Sequence, residues 1–401
     1  MANSLLTVQQ ITREALRVLH QKLTFIGSIN RQYDSQYAKE GAKIGSDLKI
    51  RLPNQYTVTT GAVMSAQDTD EHSTTLSVST QKHVGINFST AELTLNLDDF
   101  SSRILEPAMA VLAASMEADA YSMYKDVYQI VDSDAVALAF SDILKGRKAL
   151  NDALAPMDNN RTALLSTTHA VKIVDALKTL QEDSGSLSKQ YREGRMYRAA
   201  GFDFSESTHA NDHTTGTAAK TTGYVMNTST GLTSGSGTLT ISGGSTTFLK
   251  GDVITIADVY RVHPETKVST GALQQFVVTA DSGASATSLS VSPAPVTSGA
   301  RQNVSLTSPG ASKALVKVGA GANELLNSSM AYHRDAFAFA SADLVMPKGI
   351  DFAAREVYDG ISMRIVRQYD IVNDKLPCRV DVLYGYKAIR PQLACRIHAD
   401  G

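Results

Sequence analysis

The sequence predicts an α+β protein interrupted by a separate all-β module. Three observations carry this. One apolar stripe runs at helical spacing through residues 97–130, period-two runs lie on both sides of it, and a Thr-, Ser- and Gly-rich block spans 211–311. With 401 residues the chain can bury a full core, and its length suggests two or three domains.

The elements follow in order. Ile11, Ala15, Val18 and Leu19 fall at helical spacing, with Arg13, Glu14 and Arg17 on the other side. Gly27 ends that pattern, and the polar stretch after it reads as an extended arm that seeks a neighbour. From Asp47 the period becomes two. LKIRLPNQYTVTT and TTLSVSTQKHVGINFST alternate as paired strands do, around the turn-rich, acidic GAVMSAQDTDEHS. The whole predicts a long two-stranded excursion with little core of its own. Leu105, Met109, Leu112, Met116, Ala120, Met123 and Val127 then step by three or four, which predicts the longest helix. Asp98 and Asp99 suit its positive end, and Pro107 marks a late first turn or a kink. FSDILKGRKALNDAL predicts a second helix ending before Pro156. RTALLSTTHAVKIVDALKTLQ predicts a buried strand and a third helix, and EGRMYRAAGFDFSEST a basic stretch and a strand.

At 211 the composition shifts, and charged residues fall to about half their usual fraction. GTLTISG, DVITIADV, QQFVVTA and TSLSVSP are short β-type runs broken by Gly, Ser and Pro, as in a small barrel or sandwich. Because mixed character returns afterwards, the module reads as an insertion. NELLNSSMAYHRDAFAFASADLV predicts a turn and a strand, and ISMRIVRQYDIVNDKLPCRVDVLYGYKAIRPQLACRIHA at least three more strands.

The chemistry in the chain is sparse. A net charge of −2 speaks against wholesale nucleic-acid binding, which needs a basic surface. Cys378 and Cys395 form no metal-type pair and read as buried, reduced core residues. The N-terminus reads as no secretory signal, since Arg13, Glu14 and Arg17 interrupt its apolar residues, and no run approaches a membrane span. The expectation is a protein made in the cytosol. No phosphate loop, dinucleotide fingerprint, nucleophile elbow or zinc-protease motif occurs. GAGAN, 319–323, reads as a flexible joint. His209, Asp212 and His213 lie in a polar loop that reads as a solvated linker rather than a metal site, and His333 as part of a polar cluster with Arg334 and Asp335. No enzyme, cofactor or metal is expected.

AYHRDAFAFASADL, MRIVRQYD and RVDVLYGYKAIRPQLACRI together resemble the coat-protein family of short-tailed phages typified by Salmonella phage P22. Phe337 to Asp343 and Leu383 to Pro391 match its paired aromatic and "LYG…RP" strands, and Ala200 to Asp203 its "AGFD" strand. LKGDVITIADVYRVHPETKVSTGALQQFVVTAD resembles its inserted domain, and EPAMAVLA, 106–113, its spine helix. The resemblance covers most of the chain in order and implies the Hong Kong 97-type capsid fold. It divides the chain into an N-terminal arm (1–46), an E-loop hairpin (47–91), the spine helix of a peripheral domain (92–133), an axial and peripheral α/β core (134–210), an inserted β-barrel (211–311) and returning core strands (312–401).

The function implied is that of a major capsid protein: hexamers and pentamers forming an icosahedral shell, assembled in the host cytoplasm, around the genome of a tailed double-stranded DNA phage. Scaffolding and portal proteins are the implied partners, with packaged DNA nearby and no membrane. Asp68, Asp70 and Glu71 are candidate inter-subunit contacts at the excursion's tip. Arg261, Glu265 and Lys267 of RVHPETK are candidates in the inserted domain, where GYVMNTSTGLTSGSG departs from relatives with a long charged loop. Arg13, Glu14 and Arg17 are candidate scaffold contacts. Some proteins of this fold crosslink through Lys and Asn; Lys82 is a conceivable donor, without an acid and acceptor to pair with it. Two other classes compete, an encapsulin-like compartment shell and a β-rich tail adhesin. The adhesin leaves the spine helix unexplained, and the chain has no Trp for sugar stacking.

Overall fold

The computed structural model describes residues 15–17, 19, 23–31, 47–64, 66–69, 71–89, 106–177, 196–210, 212–226, 232–306, 312–350, 352–358 and 360–400. It divides into two compact units, one of Met1–Ile50, Ser73–Tyr121 and Phe337–Ile389, the other of Arg51–His72, Ser122–Ala336 and Arg390–Gly401.

In the first unit, helix α1 (Glu106–Tyr121) carries the stripe read from the sequence. Met109, Leu112, Met116 and Ala120 are buried, whereas Val111 on another face is 66% exposed. Ala, Met, Leu and Glu are strong helix formers, and each Leu or Met so buried contributes about 2 kcal/mol. Pro107 sits in the first described turn. The stripe continues beyond the helix, since Met123 and Val127 are buried in the second unit. Leu105, Asp98 and Asp99 lie outside the described residues.

A five-stranded sheet accompanies α1, in the order Phe337–Ala342, Lys375–Ala388, Ile361–Arg367, Phe352–Tyr358, with Thr80–Ser89 also paired to Lys375–Ala388. This revises the sequence reading. The expected hairpin is confined to a short ladder between Asp47–Arg51 and Ser73–Ser77, and Thr80–Ser89 pairs instead with residues 375–384. Gly385 is required where the chain passes Ser77, because a Cβ there would lie 2.1 Å from the Ser77 carbonyl oxygen.

The arm reading is also revised. Leu23, Phe25, Ile26 and Ile29 are buried, and Phe25 packs edge-on against Tyr121 and Phe337 with ring centroids 5.5 and 5.6 Å away. Asn30 N–H donates to Phe337 O at 3.2 Å, and Phe339 N–H to Asn30 O at 3.0 Å. A segment framed by polar sequence therefore joins the core, because its four apolar residues bury together.

The second unit holds a six-stranded mixed sheet, in the order Ile130–Ala137, Ala394–Asp400, Ser329–His333, Arg161–Ser166, Phe202–Ser207, Arg198–Ala199. Helix α2 (Phe140–Asp152) lies on it, with Gly146 positioned so that a Cβ would touch Ile397 and Ala331. Helix α3 (Thr167–Leu177) links the parallel strands Arg161–Ser166 and Phe202–Ser207, as a βαβ crossover requires. The single strand expected after NELLNSS is two, Ser329–His333 and Phe337–Ala342, in different sheets on either side of a 3₁₀ turn at Arg334–Ala336.

All four β-type runs of the Thr- and Ser-rich block are strands. They join Thr221–Met226 and Ala314–Lys317 in an antiparallel ring, in the order Ser269–Val278, Ser288–Ser292, Thr238–Ser242, Thr221–Met226, Ala314–Lys317, Val253–Val262. Pairing of Val253–Val262 with Ser269–Val278 closes it into a six-stranded barrel. Val304–Leu306 adds to Val253–Val262 beyond a register shift. Tyr224, Ile241, Phe248, Ile254, Ile256, Phe276 and Val291 are among the residues that fill the interior.

Candidate functional site

Three exposed features hold the residues singled out by sequence. The first is the excursion between Arg51 and Ser73. Leu52 N–H donates to His72 O at 2.7 Å and closes its base. Farther out, Thr57 N–H donates to Gln67 Oε1 at 2.9 Å while Gln67 Nε2 donates back to Thr57 O at 2.5 Å. Beyond this clamp Val58, Val63 and Met64 are 96%, 88% and 87% exposed. Asp68 and Glu71 are exposed beside it, and Glu71 meets Arg51 at 3.2 Å, a pair too solvated to stabilise much. Asp70 lies outside the described residues.

The second feature is the turn between Val253–Val262 and Ser269–Val278. His263 organises it: its Nδ1 accepts Glu265 N–H at 3.3 Å and Thr266 N–H at 3.2 Å, and its carbonyl accepts Lys267 N–H at 3.0 Å. Glu265 is exposed. Lys267 lies over the barrel and donates to Gln302 O at 3.4 Å, with burial lowering its pKa. Arg261 points elsewhere, Nη1 toward Gln129 Oε1 at 3.4 Å. The third feature is the N-terminal helical segment, where Arg17 is exposed and Ala15, Leu16 and Leu19 are buried. Arg13 and Glu14 lie outside the described residues.

The buried charges were not found by sequence reasoning. Glu117, on α1 and 1% exposed, accepts Phe25 N–H at 2.9 Å (Oε1) and 3.2 Å (Oε2). Burial pushes its pKa up to about 7, although N–H groups of Phe25, Ile26 and Thr24 favour the charge. Asp381 is fully buried, with Arg364 Nη2 at 2.7 Å and Arg379 Nε at 2.6 Å. Burial alone would raise its pKa, but hydrogen bonds from the two guanidinium groups outweigh it and leave the pKa lowered. Lys82 is on a strand, not a loop, and binds Asp119 of α1 at 2.7 Å and Ser115 Oγ at 2.6 Å. Tyr384 OH donates to the same Asp119 at 2.6 Å.

The barrel's neck is similarly built. His213 is no solvated linker residue: it is 3% exposed and its Nε2 lies 2.9 Å from buried Asp252. Burial lowers its pKa despite that carboxylate. Asp252, from the LKGD turn, also accepts Gly216 N–H at 3.0 Å and Leu249 N–H at 2.9 Å. Lys317, where the chain leaves the barrel, donates to Thr215 Oγ1 at 2.9 Å and Gly321 O at 2.7 Å. The GAGAN joint is thus tied down, with Gly319 N–H bonded to Asp132 at 3.0 Å. The one usable signal was a polar pair, His213 and the Asp of a GD turn, flanking apolar strands. His333 does join a polar cluster, with Asp158 at 2.8 Å and Asp335 at 3.8 Å. His72 and His83 are exposed. Among the described residues no group of three or more His, Cys, Asp or Glu gathers to hold a metal.

Exposed surfaces on a rigid interior are the equipment of a protein that binds other chains. Among solved structures, one from Mycobacterium phage Che8 is similar at TM-score 0.50 and 12% identity, over 94% of this chain and 90% of that one. A capsid structure of cyanophage P-SCSP1u gives 0.45 and 9%, over 91% and 87%, and the mature capsid of bacteriophage PhiM1 0.44 and 8%, over 93% and 87%. No curated protein sequence matches. The fold is that of a tailed-phage capsid subunit. The family model described as P22 coat protein, gene protein 5, matches residues 1–396, and the chain belongs to that family. It is a phage major capsid protein, a structural component of the virion shell; neither the compartment shell nor the adhesin is favoured.

Proposed function

We propose that copies of this chain associate as hexamers and pentamers of an icosahedral shell, guided by a scaffolding protein and a portal, with packaged DNA close by without sequence-specific contact. The work is assembly, not catalysis. The observation that carries this reading is the clamped excursion, which holds Val58, Val63 and Met64 almost wholly in solvent. A monomer gains nothing by ordering such a tip, whereas a neighbour that covers it gains about 25 cal/mol for each Å² of apolar surface buried. Asp68, Asp70 and Glu71 then give that contact polarity, and Arg261, Glu265 and Lys267 are contact candidates on the barrel. Of these three Glu265 is the exposed one, whereas Arg261 and Lys267 are half-buried and each makes a long contact at 3.4 Å, with Gln129 and Gln302. Arg13, Glu14 and Arg17 are the candidate contacts with the scaffold.

We assign the chain accordingly to an arm (1–46), an E-loop (47–91) whose last strand, Thr80–Ser89, joins the five-stranded sheet, a spine (92–133), an α/β core (134–210), an inserted barrel (211–311) completed by Ala314–Lys317, and returning strands in the rest of 312–401. Electron microscopy of the purified protein, with and without a candidate scaffold, tests the reading. Closed shells of uniform diameter, or aberrant shells and tubes without scaffold, are expected. A subunit that stays monomeric or trimeric under every condition would overturn it.

A further inference from the structure

The second unit contains a groove of about 240 Å³ lined by Lys145, Lys148, Arg261 and Asp152, in which Lys145 is already paired with buried Asp142 at 2.7 Å. Lys145, Lys148 and Asp152 of α2 form one side, and Arg261 and Leu273 of the barrel the other. The groove is built rather than incidental. Gln275 in its lining locks the two sides, its Oε1 accepting Ile130 N–H at 2.9 Å and its Nε2 donating to Ile130 O at 3.0 Å. Lys148 is held only by exposed Asp152, at 2.8 Å, a pair that a better-placed anion displaces at little cost. Among the described residues no carboxylate pairs with Arg261, whose guanidinium makes a long contact with Gln129 at 3.4 Å. Leu273, 40% exposed, adds an apolar patch beside the cations.

We propose that this groove receives the outer part of the excursion, with Val63, Met64 and Asp68, from a second copy of the chain. The inference rests on the assembly reading and adds the identity of one contact. The outer part of the excursion offers a complementary set: the exposed carboxylate of Asp68 next to the Thr57–Gln67 clamp, with Val63 and Met64 88% and 87% exposed beyond it, while Glu71 at the base is paired with Arg51. The excursion is held at Thr57 and Gln67 and the groove at Gln275, and such restraints reduce the ordering entropy that opposes docking. In a shell, neighbouring copies sit at high effective concentration, which favours a homotypic occupant over a diffusing anion.

Disulfide trapping tests the pairing in the full chain. Burial pushes the thiols of Cys378 and Cys395 up to about 11 and about 12, so the native cysteines stay unreactive under mild oxidation. A chain carrying both Asp68→Cys and Leu273→Cys is expected to give a reducible ladder of dimers and higher species in shells and none as free subunits. Shells without that ladder, or a disulfide formed within one chain, would overturn the proposal. In parallel, Asp68→Lys and Lys148→Glu are each expected to lower the yield of closed shells at least tenfold, and the two together to restore it to within threefold. Both sites are exposed, so the urea midpoint of the free subunit should not move. A double variant no better than the worse single would show that another partner, such as an acidic scaffold segment or a phosphate, fills the groove. Failure of the unsubstituted protein to make shells would instead overturn the assembly reading itself.

Discussion

Glu117 makes the fold of the first unit sensitive to pH in a direction opposite to the usual carboxylate. Its folded pKa of about 7 lies above the ordinary 4.5, so the folded state holds a proton that the unfolded state releases. The stability this contributes is fully present below about pH 4.5 and is lost as pH climbs through about 7. A shift of that size corresponds to about 3 kcal/mol, of which about 2.5 kcal/mol disappears between pH 5 and pH 8. Other groups act the opposite way. Asp381, whose folded pKa is lowered, adds stability as pH rises from the acid range, and His169, His213 and His398, lowered by burial, add it up to about pH 6.5. The informative quantity is therefore a difference between two proteins. Glu117→Gln keeps an oxygen that can accept Phe25 N–H and removes the titration. Urea unfolding of unassembled subunits, followed by circular dichroism at pH 5, 6, 7 and 8, should show the wild type losing about 2.5 kcal/mol relative to the variant across that range. Parallel curves would refute the argument, because they would mean that the Glu117 carboxyl does not change its ionisation on folding.

Other consequences are equally direct. Asp381→Ala leaves the largely buried Arg364 guanidinium without its carboxylate and should destabilise the subunit by about 3 kcal/mol, read as a lowered thermal midpoint; an unchanged midpoint would mean that water replaces the carboxylate. Gly385→Ala drives a methyl group into the Ser77 carbonyl and should cost about 3 kcal/mol, with soluble yield at 37 °C the first measurement to fall. Asp252→Ala strips the partner from Gly216 N–H, Leu249 N–H and His213 together. Limited proteolysis should then cut first within the barrel or its neck, while the wild type resists under the same conditions.

The elements legible in the sequence were those set by local period. The α1 stripe and the four Thr- and Ser-rich strands follow from spacing of three to four and of two, because the side chains that reveal them are the ones that bury. Long-range pairing was not legible. Thr80–Ser89 alternates as well as any hairpin strand, and nothing in it specifies a partner almost three hundred residues away. The buried end of the arm was missed because polarity averaged over its surroundings hid Leu23, Phe25, Ile26 and Ile29. Asp68 is exposed, as the reading of its segment as a solvated tip implied, since such a reading needs only composition. Glu117, Asp381 and the His213–Asp252 pair left little trace, because a buried charge resembles a surface charge until its partners are known.

The closed ring of the barrel bears on how identical chains crowded together in a shell avoid joining strand to strand. An open sheet offers unpaired N–H and C=O groups along its margins, and identical margins brought together tend to zip into cross-β stacks. In the ring, each of the six strands is bonded on both sides, so neighbouring copies present one another with side chains rather than with a backbone template. The abundance of Thr and Ser in this block, which would make a loose β ribbon adhesive, is thereby harmless. Its outer face is left free to vary residue by residue without endangering the strands beneath.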